Sequence, residues 1–369
     1  MSTPRLIIAA SEHCPDLLYA TGFFAPDPFL FLEKNGKRTL LLNDLEIDRG
    51  RSQARVDEVI AESEISKRLP KPTLFTEIVF RFLKDQKVRK ALVPASFPLG
   101  LAHEFTKAGI QLIPQSGLFW KEREFKTDTE LKLMRRALLI TETGLARAME
   151  VLRASEIGRR NRLSWAGKTL TSEILRAEID SAILHVGGQP AHTIVAGGNQ
   201  ACDPHERGHG PLHAHSLIIL DIFPRDALTG YFGDMTRTVL RGKATDTQRR
   251  LWETVRKAQE LALKEMKPGT DGGKLHDAVK DYFTLSGYPT ELRDGRQTGF
   301  FHGTGHGLGL EIHEEPRFSK TIFRPGQVIT VEPGLYYPGI GGVRIEDVVT
   351  LTKTGIRMLS KFPKELEIS

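Results

Sequence analysis

Carboxylates inside apolar, strand-like segments place the strongest constraint on how this chain can fold. The segments are ILDIF, YFGDMTRT, ITVEPG and VRIEDVV, and they contain Asp221, Asp234, Glu332 and Glu346. Their β-branched and apolar neighbours predict buried strands. An unpaired carboxylate in such a position costs several kcal/mol or more. The fold must therefore bring positive charge to these side chains.

The chemistry of the set indicates divalent cations. Four carboxylates carry a formal charge of about −4, which two divalent ions would balance. His306, in a glycine-rich segment, adds one imidazole. Oxygen-rich ligands with a single imidazole suit Mn, Fe or Co better than a structural zinc, which favours thiolates. This pattern is typical of two-metal hydrolytic sites, and it predicts that all five side chains are metal ligands.

Composition allows this interpretation and argues against some other classes. A length of 369 residues with 40% apolar and 27% charged residues is typical of a soluble protein of about two domains. The net charge of +6 comes from dispersed basic residues, so nucleic-acid binding is not expected. No apolar run approaches the roughly 20 residues that span a bilayer. Cys14 and Cys202 lie far apart and no export signal is visible, which favours a cytoplasmic protein.

A change in composition near Lys121 divides the chain. Before it, short apolar runs alternate with polar helical stretches, which predicts an α/β domain over residues 1–122. Asn35-Gly36 between two strand-like halves predicts a hairpin. After it, Thr127 and Glu130 form a capping box that begins a long amphipathic helix. Residues 123–369 are predicted to form the second domain.

The second domain is predicted to hold further helices around 172–185, 246–266 and 274–286, each followed by glycine or proline-glycine. Strands are predicted in SLIILDIF, FGDMTRTVL, QVITVEP and GVRIEDVVTLT. Polar candidate ligands interrupt these apolar runs. We therefore expect the ligands to lie on sheet, with helices outside it.

The segments ILDIFPRDALTGYFGDMTRT, FHGTGHGLGLEIHEEP and TVEPGLYYPGIGGVRIEDVV occur in the order found in a known family. From about residue 125 onward, the chain resembles the pita-bread metallopeptidases, which include aminopeptidase P, prolidase, methionine aminopeptidase and creatinase. The first part resembles the creatinase-type amino-terminal domain. The resemblance implies an α+β fold, with a curved antiparallel sheet and outer helices in the C-terminal domain.

By this resemblance, Asp221 would bind one metal, His306 and Glu332 the other, and Asp234 and Glu346 both. The expected ions are two Mn²⁺, with Co²⁺, Fe²⁺ or Zn²⁺ as alternatives. The supporting catalytic residues would be His205, His302, His313, Glu332 and Arg344. Asp221 and Asp234 are 13 residues apart, which is longer than the commoner family spacing. Asp226 therefore competes with Asp221 as a candidate ligand.

The implied activity is hydrolysis next to proline, as an Xaa-Pro aminopeptidase or an Xaa-Pro dipeptidase. The partner would be a peptide with proline near its N-terminus, and the protein would be a homodimer. Two alternatives stay open: a methionine-aminopeptidase-like exopeptidase, or a non-catalytic relative that binds peptide or nucleic acid. Metal analysis and peptide cleavage distinguish them.

Other motifs have plainer interpretations. The glycines at 303, 305, 307 and 309 alternate strictly and do not match a phosphate loop, so close backbone approach around His306 is expected. The histidines at 205, 209, 213 and 215 are interrupted by glycine and proline, which favours a solvated loop over a second metal cluster. Cys202 is expected to be a small buried residue. Aromatic walls for a proline ring are predicted from Phe300, Phe301, Tyr336 and Tyr337.

Overall fold

The computed structural model describes residues 3–369 and separates into two compact units, Met1–Arg123 and Glu124–Ser369. We propose that these units are the two domains expected from the sequence. The strands of the first unit are β1 (Arg5–Ala9), β2 (Phe29–Lys34), β3 (Lys37–Leu42), β4 (Glu58–Ala61), β5 (Lys90–Pro94) and β6 (Gln111–Gln115). Its helices are α1 (Pro15–Thr21), α2 (Ile47–Gln53), α3 (Glu62–Ser66), α4 (Phe75–Asp85) and α5 (Leu99–Lys107).

The first unit is built on one mixed sheet of order β4-β3-β2-β1-β5-β6. Strand β1 pairs antiparallel with β2 and parallel with β5. Successive side chains of a strand point to opposite faces. In β1, Leu6 and Ile8 pack into one apolar core and Ile7 into another. The alternation of strands and helices agrees with the predicted α/β arrangement.

The predicted hairpin is confirmed. Lys34 pairs with Lys37, so Asn35 and Gly36 form a two-residue turn with φ values of 52° and 80°. Both values lie in the left-handed region, which asparagine and glycine tolerate better than other residues.

Four long helices belong to the second unit: α6 (Asp128–Ala154), α7 (Ser172–His185), α8 (Asp246–Glu265) and α9 (Gly272–Leu285). The capping box predicted for α6 is present, because Thr127 Oγ1 accepts from the Glu130 N–H and Glu130 accepts from the Thr127 N–H. The bounds of α7 agree with the predicted helix, and α8 ends one residue earlier than predicted. Helix α9 begins two residues earlier, because Asp271 caps it. No helix within residues 3–369 is both long and apolar enough to cross a membrane.

The second unit contains short strands as well as the longer ones predicted from the sequence. They are β7 (Glu156–Ile157), β8 (Leu163–Trp165), β9 (Lys168–Thr169), β10 (Gly188–Gln189), β11 (Ile194–Gly197), β12 (Ile218–Ile222), β13 (Arg225–Asp226), β14 (Met235–Arg241), β15 (Glu291–Arg293), β16 (Arg296–Thr298), β17 (His306–Gly307), β18 (Glu314–Arg317), β19 (Val328–Val331), β20 (Gly334–Tyr337), β21 (Gly341–Arg344), β22 (Asp347–Leu351), β23 (Ile356–Met358) and β24 (Glu367–Ile368). Short 3₁₀ turns occur at Lys121–Glu124, Arg159–Asn161, Gly198–Cys202 and Phe318–Lys320.

Two sheets of the second unit carry the chemistry. One has the order β11-β12-β14-β24, and the other has the order β18-β17-β19-β22-β23. Helices α8 and α9 cover the second sheet, since Val255 and Val279 pack in one buried cluster with Ile329 and Val349. The predicted arrangement of strands inside and helices outside is confirmed.

Candidate metal centre

The ends of two antiparallel strand pairs supply the predicted carboxylates. In the pair formed by β12 and β14, Asp221 lies opposite Thr236, and Asp234 directly precedes β14. In the pair formed by β19 and β22, Val331 lies opposite Asp347. Glu332 and Glu346 are therefore the next opposed positions along that antiparallel register. Residues far apart in sequence reach the same place because the strands end there.

His306 completes the set from strand β17. Its Nε2 lies 3.6 Å from Asp234 Oδ2 and 3.5 Å from Glu332 Oε1. Ligand atoms of Asp234, His306 and Glu346 all lie within 4.8 Å of one another, which is close enough to hold one ion. Asp221 joins through Thr236, whose Oγ1 lies 2.9 Å from Asp221 Oδ1 and 2.8 Å from Glu346 Oε2.

All five predicted ligands and all five predicted catalytic residues line one cleft of about 710 Å³. The structure thus brings these candidate ligands and catalytic residues together in one place. Among the described residues, no other group of three His, Cys, Asp or Glu side chains meets the same 4.8 Å criterion. In particular, His209 and His213 are exposed, as the solvated-loop interpretation predicted.

The electrostatics of the cleft fit divalent cations. Burial raises the pKa of Asp234 and of Glu346 well above the usual range for carboxyl groups, and neighbouring carboxylates raise both further. Burial also raises the pKa of Glu332 to about 8. Protons and metal ions compete for such groups. The raised pKa values mean that too little positive charge surrounds these buried carboxyl groups to stabilise their ionised form. Divalent cations bound among them would supply that charge.

His306 is suited to be a ligand in its neutral form. Burial lowers its pKa to about 3. Its Nδ1 lies 3.1 Å from the Gly307 carbonyl oxygen, which can only accept a hydrogen bond. Nδ1 therefore carries the proton, and Nε2 presents its lone pair to the carboxylates.

Glycines allow the backbone to approach closely on both sides of His306, as predicted. A Cβ at Gly305 would lie 1.9 Å from the Thr330 carbonyl oxygen, and one at Gly307 would lie 2.5 Å from the Glu315 carbonyl carbon. Any side chain at Gly305 would therefore displace the strand that leads to Glu332.

Arg344 orients Asp221. Its Nη2 donates to Asp221 Oδ2 at 2.7 Å, and its Nη1 donates to the Tyr336 hydroxyl at 3.0 Å. Both Arg344 and Asp221 are largely buried. Arg344 thus holds Asp221 Oδ2, while Asp221 Oδ1 lies beside Thr236. The two contacts together fix the orientation of the carboxylate.

His302 is engaged through both ring nitrogens. Nδ1 lies 2.8 Å from the Gly303 carbonyl oxygen, and Nε2 lies 2.8 Å from the Tyr336 hydroxyl. Burial, followed by Arg344, lowers its pKa to about 3. The neutral ring therefore donates from Nδ1 to Gly303 and accepts from Tyr336 at Nε2. In this arrangement, the single ring N–H of His302 is not free for a substrate.

His205 and His313 line the cleft without such engagement of both nitrogens. The His313 ring packs edge-on against His306, with 4.4 Å between ring centroids. Partial burial, followed by Arg317, lowers the pKa of His313. It is therefore neutral at physiological pH and can donate one hydrogen bond.

Asp226 does not compete with Asp221 for the cleft. It is fully buried in the turn between β12 and β14, where its Oδ2 pairs with Arg136 Nε at 2.7 Å. It also accepts from the Leu228 N–H and the Thr229 hydroxyl. The hairpin thus accommodates the longer spacing by pairing Asp226 with Arg136 on helix α6, while Asp221 lines the cleft.

The prediction of aromatic walls needs correction. Of the four aromatic residues, Phe301 lines the cleft. Phe300 is buried against Phe283, and Tyr336 is fully buried. The Tyr337 hydroxyl donates to the Pro289 carbonyl. Neighbouring residues point in opposite directions in extended chain, so adjacent aromatics cannot share one wall. The aromatic side chains lining the cleft are Phe223, Phe301 and Phe318.

Sequence inspection did not single out several residues that the structure brings to the site. Thr236 lies between two carboxylates. Tyr336, which the sequence suggested only as an aromatic wall, contributes its hydroxyl to His302 and Arg344 instead. Arg317 lies opposite His306 in the β17–β18 register and, with Lys320, adds positive charge to the cleft wall. The sequence did contain one feature that could have identified Thr236. It lies two residues after Asp234, and side chains with that spacing point to the same side of an extended strand.

Comparison with known proteins agrees with this geometry. Residues 132–353 match metallopeptidase family M24. An Xaa-Pro dipeptidase of Pyrococcus horikoshii is 31% identical, with 78% of this chain and 80% of the relative covered. An Xaa-Pro aminopeptidase of Haemophilus influenzae is 29% identical, with 94% and 85% covered. A solved Xaa-Pro dipeptidase from Bacillus anthracis aligns with a TM-score of 0.83 at 26% identity, over 99% of this chain and 95% of that one.

The fold and the cleft together define a pita-bread metallopeptidase, with the α+β architecture predicted from the sequence. The chain belongs to metallopeptidase family M24. Membership of this family implies that it binds a divalent metal ion, and the carboxylate and imidazole cluster provides the place.

Proposed function

We propose that this protein hydrolyses the peptide bond that precedes proline in short peptides. The observation that carries the proposal is the convergence of Asp234, His306 and Glu346 in a cleft that Asp221 and Glu332 also line. Relatives named Xaa-Pro dipeptidase and Xaa-Pro aminopeptidase support the choice of substrate class.

The five side chains would hold two divalent cations, with Mn²⁺ as the expected ion. Asp221 would belong to one ion, His306 and Glu332 to the other, and Asp234 and Glu346 to both. When bound, such a pair lowers the pKa of water and polarises a carbonyl group. No nucleophilic side chain is then required, and Cys202 is an unsuitable nucleophile because burial raises its thiol pKa to about 11.

The remaining residues orient the peptide and move protons. With cations bound, Glu332 would be ionised, and its carboxylate would act as the general base that passes a proton to the leaving amine. His205 and His313, which line the cleft, would donate hydrogen bonds to the carbonyl oxygen of the scissile bond. Arg344 and Tyr336 would keep Asp221 and His302 in position.

The charge of the cleft wall favours short substrates. Arg317 and Lys320 line the same cleft as the proposed ligands. A dipeptide places its free carboxylate close to the scissile bond, where guanidinium and ammonium groups can bind it. Phe223 and Phe301 would offer apolar contact to a proline ring. We therefore favour a dipeptidase over an aminopeptidase.

The test is a series of peptides with Mn²⁺-loaded protein: Ala-Pro, Ala-Pro-Ala and Met-Ala-Ser. We expect Ala-Pro to be cleaved most efficiently and Met-Ala-Ser not at all. Arg317→Met should raise KM for Ala-Pro more than for Ala-Pro-Ala. Cleavage of Met-Ala-Ser alone would favour the methionine-aminopeptidase alternative, and absence of both Mn²⁺ binding and cleavage would favour a non-catalytic binding protein.

We also propose that the protein acts as a cytoplasmic homodimer on peptides and not on nucleic acid. The resemblance to creatinase-type proteins supports pairing, and the dispersed basic charge supports the absence of a nucleic-acid partner. Sedimentation at micromolar concentration tests the dimer, and a purely monomeric profile would contradict it.

A further inference from the structure

A buried polar cluster lies behind the carboxylates of the cleft. It consists of Arg237, Gln259, Asp347, Ser360 and Lys364, here termed the Asp347 cluster. Arg237, Gln259, Asp347 and Ser360 are all at most 4% exposed, and the Lys364 side chain is 25% exposed. Burial of so many polar groups is costly unless each is well partnered. The hydrogen-bonding partners of these groups therefore indicate which parts of the chain the cluster holds in place.

Gln259, on helix α8, contacts the backbone just before two proposed ligands. Its Nε2 lies 2.9 Å from the Val331 carbonyl oxygen and 3.1 Å from the Ile345 carbonyl oxygen. Val331 directly precedes Glu332, and Ile345 directly precedes Glu346. One amide thus ties together the two chain segments from which these carboxylates project.

Arg237 contacts the backbone on the other side. Its Nη1 donates to the carbonyl oxygens of Glu346 at 2.6 Å and Thr236 at 2.9 Å. Its Nε and Nη2 donate to Pro363 O, Phe362 O and Asp347 Oδ1 at 2.8 to 3.0 Å. The five N–H groups of a guanidinium are therefore all used.

Asp347 joins these contacts to the C-terminal segment. Its Oδ1 accepts from Arg237 and from the Ser360 hydroxyl at 2.8 Å. Its Oδ2 lies 2.8 Å from Lys364 Nζ and 3.2 Å from Gln259 Nε2. Residues 360–364 therefore share one hydrogen-bonding network with the backbone carbonyl groups of Thr236, Val331, Ile345 and Glu346.

We propose that the Asp347 cluster is a positioning unit for the metal-binding carboxylates, so that residues 360–364 form part of the metal centre. The proposal rests on the proposed function. The contacts are directed at backbone atoms next to Thr236, Glu332 and Glu346, and they fix the separation of strands β19 and β22 at the end where the ligands project. Groups that orient ligands in this way affect metal affinity as well as folding.

Two variants remove contacts without touching a proposed ligand. Gln259→Met keeps the side-chain volume but removes both backbone contacts. Lys364→Met removes one of the two partners of Asp347 Oδ2 at a partly exposed position, and Lys364→Arg retains the charge. Val279→Ala, in the buried face of α9, is the control for general loss of stability. Mn²⁺ affinity and stoichiometry are measured by calorimetry and electron paramagnetic resonance, well below each Tm.

We expect wild type to bind two Mn²⁺ per chain with an exchange-coupled resonance signal. Gln259→Met should weaken Mn²⁺ binding by about 10- to 100-fold and diminish the coupled signal. Lys364→Met should weaken binding in the same direction, and Lys364→Arg should restore it. Val279→Ala should lower Tm without changing Mn²⁺ affinity.

Wild-type Mn²⁺ affinity and signal in both Gln259→Met and Lys364→Met would overturn this inference alone. An equal loss of affinity in Val279→Ala would also overturn it, since the effect would then follow stability. Failure of the wild type to bind Mn²⁺ would instead refute the proposed function, and this inference with it. If Gln259→Met does not fold, the comparison of Lys364→Met with Lys364→Arg decides the matter.

Discussion

Thr236 lies between two proposed ligands, and replacing it with valine should weaken metal binding. Its hydroxyl oxygen lies 2.9 Å from Asp221 Oδ1 and 2.8 Å from Glu346 Oε2, and it accepts from Arg344 Nε at 3.3 Å. One hydroxyl has one proton, so it donates to one carboxylate at a time. Valine has nearly the same shape but leaves both carboxylates without this donor.

The magnitude follows from the kind of hydrogen bond that is lost. A hydrogen bond to a charged group contributes about 1.5–3 kcal/mol, and each 1.4 kcal/mol corresponds to about a tenfold change in an equilibrium constant. The carboxyl groups also contact this hydroxyl in the metal-free protein. Only part of the hydrogen-bond energy therefore contributes to the free energy of metal binding. We therefore expect Thr236→Val to raise the Kd for Mn²⁺ by about tenfold, measured by calorimetric titration of metal-free protein.

Thr238→Val provides the matched control. Thr238 lies on the same strand face and is equally buried, but its hydroxyl donates to the Arg344 carbonyl and accepts from the Arg344 N–H. This variant should lose comparable stability while its Kd for Mn²⁺ changes much less. An unchanged Kd in Thr236→Val, or equal changes in both variants, would refute the role assigned to Thr236.

Three further predictions concern the carboxyl groups. Asp234→Asn should reduce Mn²⁺ affinity and cleavage of Ala-Pro by about 100-fold or more, and retention of both would remove Asp234 from the ligand set. In metal-free protein, the Glu332 pKa is raised from 4.5 to about 8, so its contribution to stability is present at low pH and is lost as pH rises through that range. Wild type and Glu332→Gln, both treated with EDTA, are compared by denaturation across this pH window. The difference between their unfolding free energies should change with pH, and a difference that stays constant would contradict the prediction. Asp226→Asn weakens the buried pair with Arg136 and should lower the unfolding free energy by about 1–3 kcal/mol, while Mn²⁺ stoichiometry stays unchanged. Loss of a metal ion in that variant would make Asp226 the ligand.

Local signals in the sequence were sufficient for many elements of the fold. The Asn35-Gly36 turn, the Thr127 capping box and helix α7 depend on backbone preferences and hydrogen bonds among residues close in sequence. The candidate ligands were also identifiable, because a carboxylate in an apolar strand is unusual enough to require a partner. Such features need no knowledge of distant parts of the chain.

Other features of the site depended on which residues meet across the fold. The sequence left Asp221 and Asp226 as alternatives, and the ion pair with Arg136, 90 residues earlier, separates them. Adjacent aromatic residues were assigned to one wall, whereas Phe300 is buried against Phe283 and Phe301 is exposed at the cleft. The contacts of Tyr336 with His302 and Arg344 had no local signature.

The sequence by itself thus determined the local turns, the helices and the residue types that require cations. Only the tertiary structure decided that Gln259 and Arg237 reach the backbone beside the carboxylates and that the C-terminal segment joins them. The physical reason is that propensity and capping act within a few residues. Strand register and helix packing, in contrast, bring together side chains that are more than 100 positions apart.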